Sequence, residues 1–204
     1  MAALQSSSLE PRSRALLLLT AAEAIESRLA RRKALAPEVE RLPPELSARR
    51  ASFVTLSIDG ALRGCCGSLE ACRPLALDVW SNAQASAFHD RRFEPLESRE
   101  WAGVHLEVSV LSPLERMFAR DEADLLARLV PGTDGLVLAW RDSRATFLPK
   151  VWEQLREPAD FLAHLKRKAG WREDFWAEDL EIWRYGTEVF AAERPAARLE
   201  VAGA

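Results

Sequence analysis

Apolar residues recur at helical spacing from Ala15 to Leu29, at Ala15, Leu18, Leu19, Ala22, Ile25 and Leu29, which predicts an amphipathic helix with one buried stripe. Ser8 is its candidate N-cap, and Glu10 and Pro11 suit its first turn. Arg28, Arg31, Arg32 and Lys33 complement the dipole at its other end. Pro37, Pro43 and Pro44 then break the pattern and mark a connection. From Ala51 the period changes to two: Phe53, Thr55 and Ser57 alternate with Val54, Leu56 and Ile58, as in a half-buried strand. Asp59-Gly60 is a two-residue hairpin signal, because both positions must accept positive φ, and the return strand spans Leu62 to Leu69.

A second helix is expected from Pro74 to about Phe88, with Ala76, Val79, Trp80, Ala83 and Ala87 inward. His89 to Pro95 reads as a turn segment. Val104, Leu106, Val108 and Val110 alternate with His105, Glu107 and Ser109 in the clearest strand of the chain. A short helix from Asp121 to Leu129, a turn at Pro131 to Gly135 and strands at Leu136–Trp140 and Thr146–Leu148 follow. A helix from Pro158 to Ala169 ends at Gly170, and Leu180 to Tyr185 forms a late strand. Helices mix with hairpins without regular βαβ alternation, which predicts an α+β fold. The expected boundaries are a flexible N-terminus at 1–8, a folded domain at 9–191 and a flexible tail at 192–204.

Composition narrows the class. Two hundred and four residues, 48% of them apolar, can bury a substantial core. A net charge of −3 gives no global pull toward nucleic acid or an anionic membrane. No apolar run approaches the roughly 20 residues that span a bilayer. The Ala15–Ala22 stretch is flanked by Glu10 and Glu23, so it reads as a helix rather than an export signal. A cytoplasmic location is the expectation. Cys65, Cys66 and Cys72 form an odd, local set, a poor disulfide framework in which reduced thiols are expected. Their spacing fits neither a zinc finger nor a three-cysteine radical-SAM cluster, and His89, His105 and His164 are too dispersed for a metal triad.

The candidate chemistry therefore lies in Leu62-Arg63-Gly64-Cys65-Cys66-Gly67. Glycines in a strand mark a bulge or a close approach by another backbone or a ligand. Arg63 is placed to favour a thiolate at Cys65, which would then serve as nucleophile, redox centre or soft-metal ligand. The opposing reading makes both cysteines small core residues. Adjacent strand residues point to opposite faces, so at most one of them looks into a given site. Asp90 and Arg92, on the turn after the second helix, form either a structural ion pair or a polar fork for a ligand.

The run Phe53-Val54-Thr55-Leu56, followed by Leu62-Arg63-Gly64-Cys65-Cys66-Gly67-Ser68, resembles the signature hairpin of the AMMECR1 family, usually written L-R-G-C-I-G. The segment from Ala85 to Leu96 is similar to that family's A-x-x-A-F-x-D-x-R-F-x-P-L block, and Glu107 to Ser112 matches its E-V-S-V-L-S strand. Gly135-Leu136, Leu148-Pro149-Lys150-Val151-Trp152 and Lys166 to Gly170 match later blocks in the expected order, so that the resemblance covers about residue 15 to residue 190. Two positions depart: Cys66 replaces the motif isoleucine, and Asp134 stands where many members have histidine.

The resemblance implies an α+β fold of two closely packed subdomains with antiparallel sheets flanked by helices. It also implies association with a Memo-like protein and a radical-SAM protein in the so-called AmmeMemoRadiSam system. The catalytic candidates are Cys65 and Arg63, and the binding candidates are Gly64, Gly67, Ser68, Asp90 and Arg92. The resemblance names no cofactor and no metal. Three functions stay open: a cysteine-dependent component of a small-molecule or peptide modification pathway, a non-catalytic substrate- or partner-binding adaptor, and a nucleic-acid-associated regulator. The last is weakened by the acidic balance and the lack of a basic recognition helix.

Overall fold

Strand β1 (Ser52–Ile58) turns back into β2 (Ala61–Gly67) through Asp59 and Gly60, whose φ values of 51° and 78° are those the hairpin signal requires. The computed structural model describes residues 8–33 and 35–193. They divide into two units, one of residues 8–111 with 188–193, the other of residues 112–187. Of the expected tails at 1–8 and 192–204, residues 1–7 and 194–204 lie outside the described residues, whereas 192–193 end a strand rather than a tail.

The first unit is a sheet of order β2-β1-β3-β8, with β3 at Val104–Leu111 and β8 at Thr187–Glu193. Cross-strand pairing sets Val54 beside Val108 and Leu56 beside Leu106. All four are fully buried in one core with helices α1 (Pro11–Leu29) and α3 (Leu75–Phe88). The alternation seen in the sequence thus becomes one helix-covered face. A short helix, α2, spans Pro44–Ser47.

Helix α1 is rotated from the expected stripe. Its buried positions are Ser13, Leu17, Ala21, Ala22, Ala24, Ile25 and Ser27, while Ala15, Leu18 and Leu19 are only half-buried. The serines tolerate burial because each donates to a carboxylate, Ser13 to Glu45 and Ser27 to Glu23, both at 2.6 Å. Nor does Ser8 cap the helix: the N-cap is Glu10, with no side-chain cap bond, and Ser8 donates to Glu188 on β8.

Helix α3 buries the apolar residues expected of it, Trp80 only partly, and beside them a polar stripe that apolar periodicity does not reveal. Asp78, Asn82 and Ser86, four residues apart and so on one face, are all buried. The Asp78 carboxylate accepts from the Ser52 N–H (2.9 Å) and hydroxyl (2.6 Å), the Ser68 hydroxyl (2.7 Å), the Asn82 amide (2.9 Å) and Arg73 Nε (2.8 Å). One residue ties α3 to the start of β1 and to the chain just after β2.

The second unit is a sheet of order β4-β7-β5-β6, with β4 at Glu115–Met117, β5 at Gly135–Trp140, β6 at Ser143–Phe147 and β7 at Glu181–Tyr185. Helices α4 (Glu122–Leu126) and α5 (Pro158–Lys168) accompany it, and Gly170 ends α5 at φ 81°. Phe161, Leu162 and Leu165 of α5 pack with Leu136, Leu138 and Ile182, and the Trp152 ring stacks on Phe161 at 3.9 Å. Lys166, fully buried, is satisfied by Glu122 (2.6 Å) and the Glu173 carbonyl (2.8 Å). Asp134 accepts from the Val130 N–H at 2.9 Å, and burial pushes its carboxyl up from the ordinary aspartate range. Two antiparallel sheets with flanking helices make this an α+β protein. Strands β4 and β8 were not expected: β4 is too short to show a period, and β8 lies against the segment read as tail.

Replacing Asp78 by alanine strands the Ser52 N–H inside the core and leaves the Ser68 hydroxyl and Arg73 Nε without their shared acceptor, while the Asn82 amide keeps the Ser52 carbonyl. The expected loss is about 3 kcal/mol or more, measured as the change in urea unfolding free energy relative to the parent.

Candidate functional site

Strand β2 is the outer strand of its sheet, so alternate main-chain groups face away from β1. At Cys65 both are taken by side chains. Its N–H donates to Asp90 Oδ2 at 2.9 Å, and its carbonyl accepts from Arg92 Nη2 at 3.2 Å. Asp90 and Arg92 are locked together by a two-pronged pair at 3.0 and 2.7 Å, and the Arg92 N–H also reaches Asp90 at 3.1 Å. The fork stands where the main chain of a further strand would pair. The Arg92 guanidinium and the Cys65 N–H hold the Asp90 carboxyl far below the usual carboxylate range.

With its main chain turned outward, Cys65 forms with Thr55 a pair without mutual ladder bonds, the kind that brings side chains closest. The Thr55 hydroxyl accordingly donates to Cys65 Sγ at 3.4 Å. On the other side of Thr55, β3 presents Glu107 in register, so thiol, hydroxyl and carboxylate occupy one row across three strands. This row lies on the face turned away from α1 and α3.

Cys66 pairs with Val54 on the opposite, helix-covered face. Its N–H donates to Ser86 Oγ (2.8 Å), which donates in turn to the Val54 carbonyl (2.7 Å). Burial, then the nearby Asp90 charge, push the Cys66 thiol up. Cys72 is exposed beside Glu70.

A β-bulge decides this division of faces. Ile58–Ala61 and Ser57–Leu62 pair as a straight hairpin, but the next pair is Leu56–Gly64, leaving Arg63 as the extra residue. Arg63 turns to Glu100 in a two-pronged ion pair at 2.7 and 3.0 Å, and Glu100 raises its pKa above that of an ordinary arginine. The guanidinium whose field reaches both thiols is that of Arg92. Gly64 and Gly67 are explained by packing. A Cβ at Gly64 would lie 2.1 Å from the Ser86 carbonyl oxygen, and one at Gly67 would lie 2.2 Å from the Phe53 ring. Ser68 donates to Asp78. The structure therefore gathers Cys65, Asp90 and Arg92 into one cluster and gives Arg63, Gly64, Gly67 and Ser68 partners of their own.

Thr55, Ser86 and Glu100 were missed from the sequence. Only Thr55 had a visible signal, its alternation on the hairpin, and the bulge hid its pairing with Cys65. His105 pairs with Ser57 and, with Asp59 and Gly60, lines an open depression of about 680 Å³ at the hairpin end of the sheet. Among the described residues, no three His, Cys, Asp or Glu side chains are grouped as a metal-ligand set, and no helix is long and apolar enough to cross a membrane.

A sequence model of the AMMECR1 family matches residues 18–190. The chain belongs to the AMMECR1 family. A protein of Thermofilum pendens is 33% identical over 193 residues, covering 89% of this chain and 90% of its own. Protein MJ0810 of Methanocaldococcus jannaschii is 33% identical over 175 residues, covering 84% and 86%. The crystal structure of the uncharacterized protein PH0010 from Pyrococcus horikoshii superposes with a TM-score of 0.82 at 31% identity, covering 92% of this chain and 95% of that one. The AMMECR1 signature hairpin is thus the β1–β2 hairpin, and the family's second block is the end of α3 with the Asp90–Arg92 fork.

Because its folded-state pKa is depressed, the Asp90 carboxylate contributes stability that is present above its unfolded pKa near 4 and lost as the pH falls below it. Asp90→Asn should lower stability near neutral pH by about 1–2 kcal/mol, a modest value because the Arg92 side chain is half open to solvent. The variant should also show a flatter acid limb. Urea unfolding near neutral pH and at about pH 3 reads both effects.

Proposed function

We propose that this AMMECR1-family protein is a cysteine-dependent component of a small-molecule or peptide modification pathway, with Cys65 as its reactive thiol. The observation that supports it is the setting of Cys65. Its main chain is immobilised by Asp90 and Arg92, and its sulfur receives a hydrogen bond from Thr55 on the sheet face turned away from the helices. A sulfur held in one orientation beside a hydrogen-bond donor is placed to attack an electrophile. The depression beside Ser57 and His105 begins two residues along β1 from Thr55, roughly 7 Å away, and offers polar groups for the rest of a substrate. The family resemblance supplies the partners of this reading, a Memo-like protein and a radical-SAM protein acting in the same pathway, in the cytoplasm.

The second reading is a non-catalytic adaptor that binds a substrate or these partners. It is favoured by the glycines: Gly64 and Gly67 are filled by internal packing and need no ligand to account for them. A nucleic-acid role has no comparable support, given the net charge of −3.

The two readings separate on Cys65 itself. Iodoacetamide should alkylate Cys65 within about tenfold of the rate at exposed Cys72 and far faster than Cys66, with sites assigned by peptide fragmentation. Cys65→Ser and Cys65→Ala should abolish turnover in the reconstituted pathway while leaving the fold intact. A Cys65 labelling rate as slow as that of Cys66, with full activity in both variants, would establish the adaptor.

A further inference from the structure

We propose that Thr55 is the positioning residue of this site: its hydroxyl donates to the Cys65 sulfur, holds it as the thiolate and aims it along the face of the sheet turned away from α1 and α3. The proposal rests on the reactive-thiol reading and assigns the group that prepares the thiol.

The geometry comes from the backbone. Cys65 turns its N–H and carbonyl outward to Asp90 and Arg92, so its pairing with Thr55 is the close type, and the Thr55 hydroxyl meets the sulfur at 3.4 Å. That hydroxyl carries one proton, and the bond directs it at Sγ. An O–H donor gains little from a neutral thiol but much from a thiolate, because a hydrogen bond to an ionised acceptor is about twice as strong. When the Cys65 S–H bond breaks, its proton passes to solvent and the remaining electron pair accepts the Thr55 O–H.

The surrounding charges do not supply this preference. Arg92 favours the thiolate, but its guanidinium is already paired with Asp90, whose negative charge acts in the opposite sense. Arg63, two residues away on the same strand, is held by Glu100. Glu107 on β3 is a second carboxylate in the same row, on the far side of Thr55 from the sulfur. Cys66, next along β2, faces the helix side. Thr55 is the uncharged donor in contact with the sulfur, so its contribution is local and little screened by salt. A β-branched residue also suits this strand position, so one side chain has two roles: its branched shape fits the strand and its hydroxyl donates to the sulfur.

The test uses the full chain with Cys66→Val and Cys72→Ser, leaving one thiol, and compares Thr55 with Thr55→Val, Thr55→Ala and Thr55→Ser. Thiolate ultraviolet absorbance and iodoacetamide rate are each followed against pH. Thr55→Val keeps the shape and removes the donor; its midpoints should rise by about one pH unit, with Thr55→Ala moving the same way. Thr55→Ser, which keeps the donor, should stay within about 0.3 of the parent. Valine and alanine midpoints that coincide with the parent's would overturn the proposal. Slow alkylation of the parent at every pH would instead remove the reactive-thiol reading, while the absorbance midpoints would still decide the role of Thr55.

Discussion

The closeness of helix α3 to strand β2 is the constraint on which the site depends. At Gly64 the Ser86 carbonyl lies where a Cβ would have to go, so only glycine lets the helix settle at this depth. That depth brings the Ser86 hydroxyl between the Cys66 N–H and the Val54 carbonyl. It also sets where α3 ends, at Phe88, and hence where Asp90 and Arg92 emerge to meet the main chain of Cys65. Asp78, at the other end of α3, holds the helix in place through the Ser52 main chain and three side chains that are not its own. Helix and hairpin are one device, and the cysteine strand cannot shift without undoing it.

Four ion pairs use charge in the same manner. Asp90 with Arg92, Arg63 with Glu100, Arg73 with Asp78 and Lys166 with Glu122 are each a paired group in contact with main chain or core. Such pairs add little net stability, because desolvation offsets much of their attraction, but breaking one leaves an uncompensated charge and so fixes geometry. Near the two thiols the consequence is that Asp90 and Arg92 stand together as charges of opposite sign. What distinguishes Cys65 from Cys66 is then the face of the sheet each side chain takes, Cys65 beside the Thr55 hydroxyl and Cys66 on the helix side beside Ser86.

Much of this architecture was legible. Asp59-Gly60 specified the hairpin because few residues accept positive φ at two successive positions, and Gly170 ended α5 for the same reason. The period-two pattern of β1 and β3 located the core face correctly, since the two strands pair apolar against apolar. The failures have equally specific causes. The face of α1 was misplaced because two serines are buried on carboxylate partners that hydrophobic periodicity cannot detect. The polar stripe of α3 was invisible because Asp78, Asn82 and Ser86 read as solvent-facing until their strand partners are known. Strand β8 is defined by the sheet it joins rather than by its own residues.

For the site, the residue types and their order along the chain were enough to single out the hairpin, the glycines and the Asp90–Arg92 segment, and to place the chain in its family. They could not say which cysteine faces which way. Counted outward from Asp59-Gly60, a straight hairpin pairs Cys65 with Val54, on the buried face. The bulge at Arg63 moves the register by one, sets Cys65 opposite Thr55 and turns Cys66 to the helix-covered face. That shift is made by contacts distant in sequence: Glu100 drawing Arg63 aside, α3 pressing on Gly64, and the Asp90–Arg92 fork gripping Cys65. A period of two is a local property of the chain, but its phase across a bulge is set by tertiary packing.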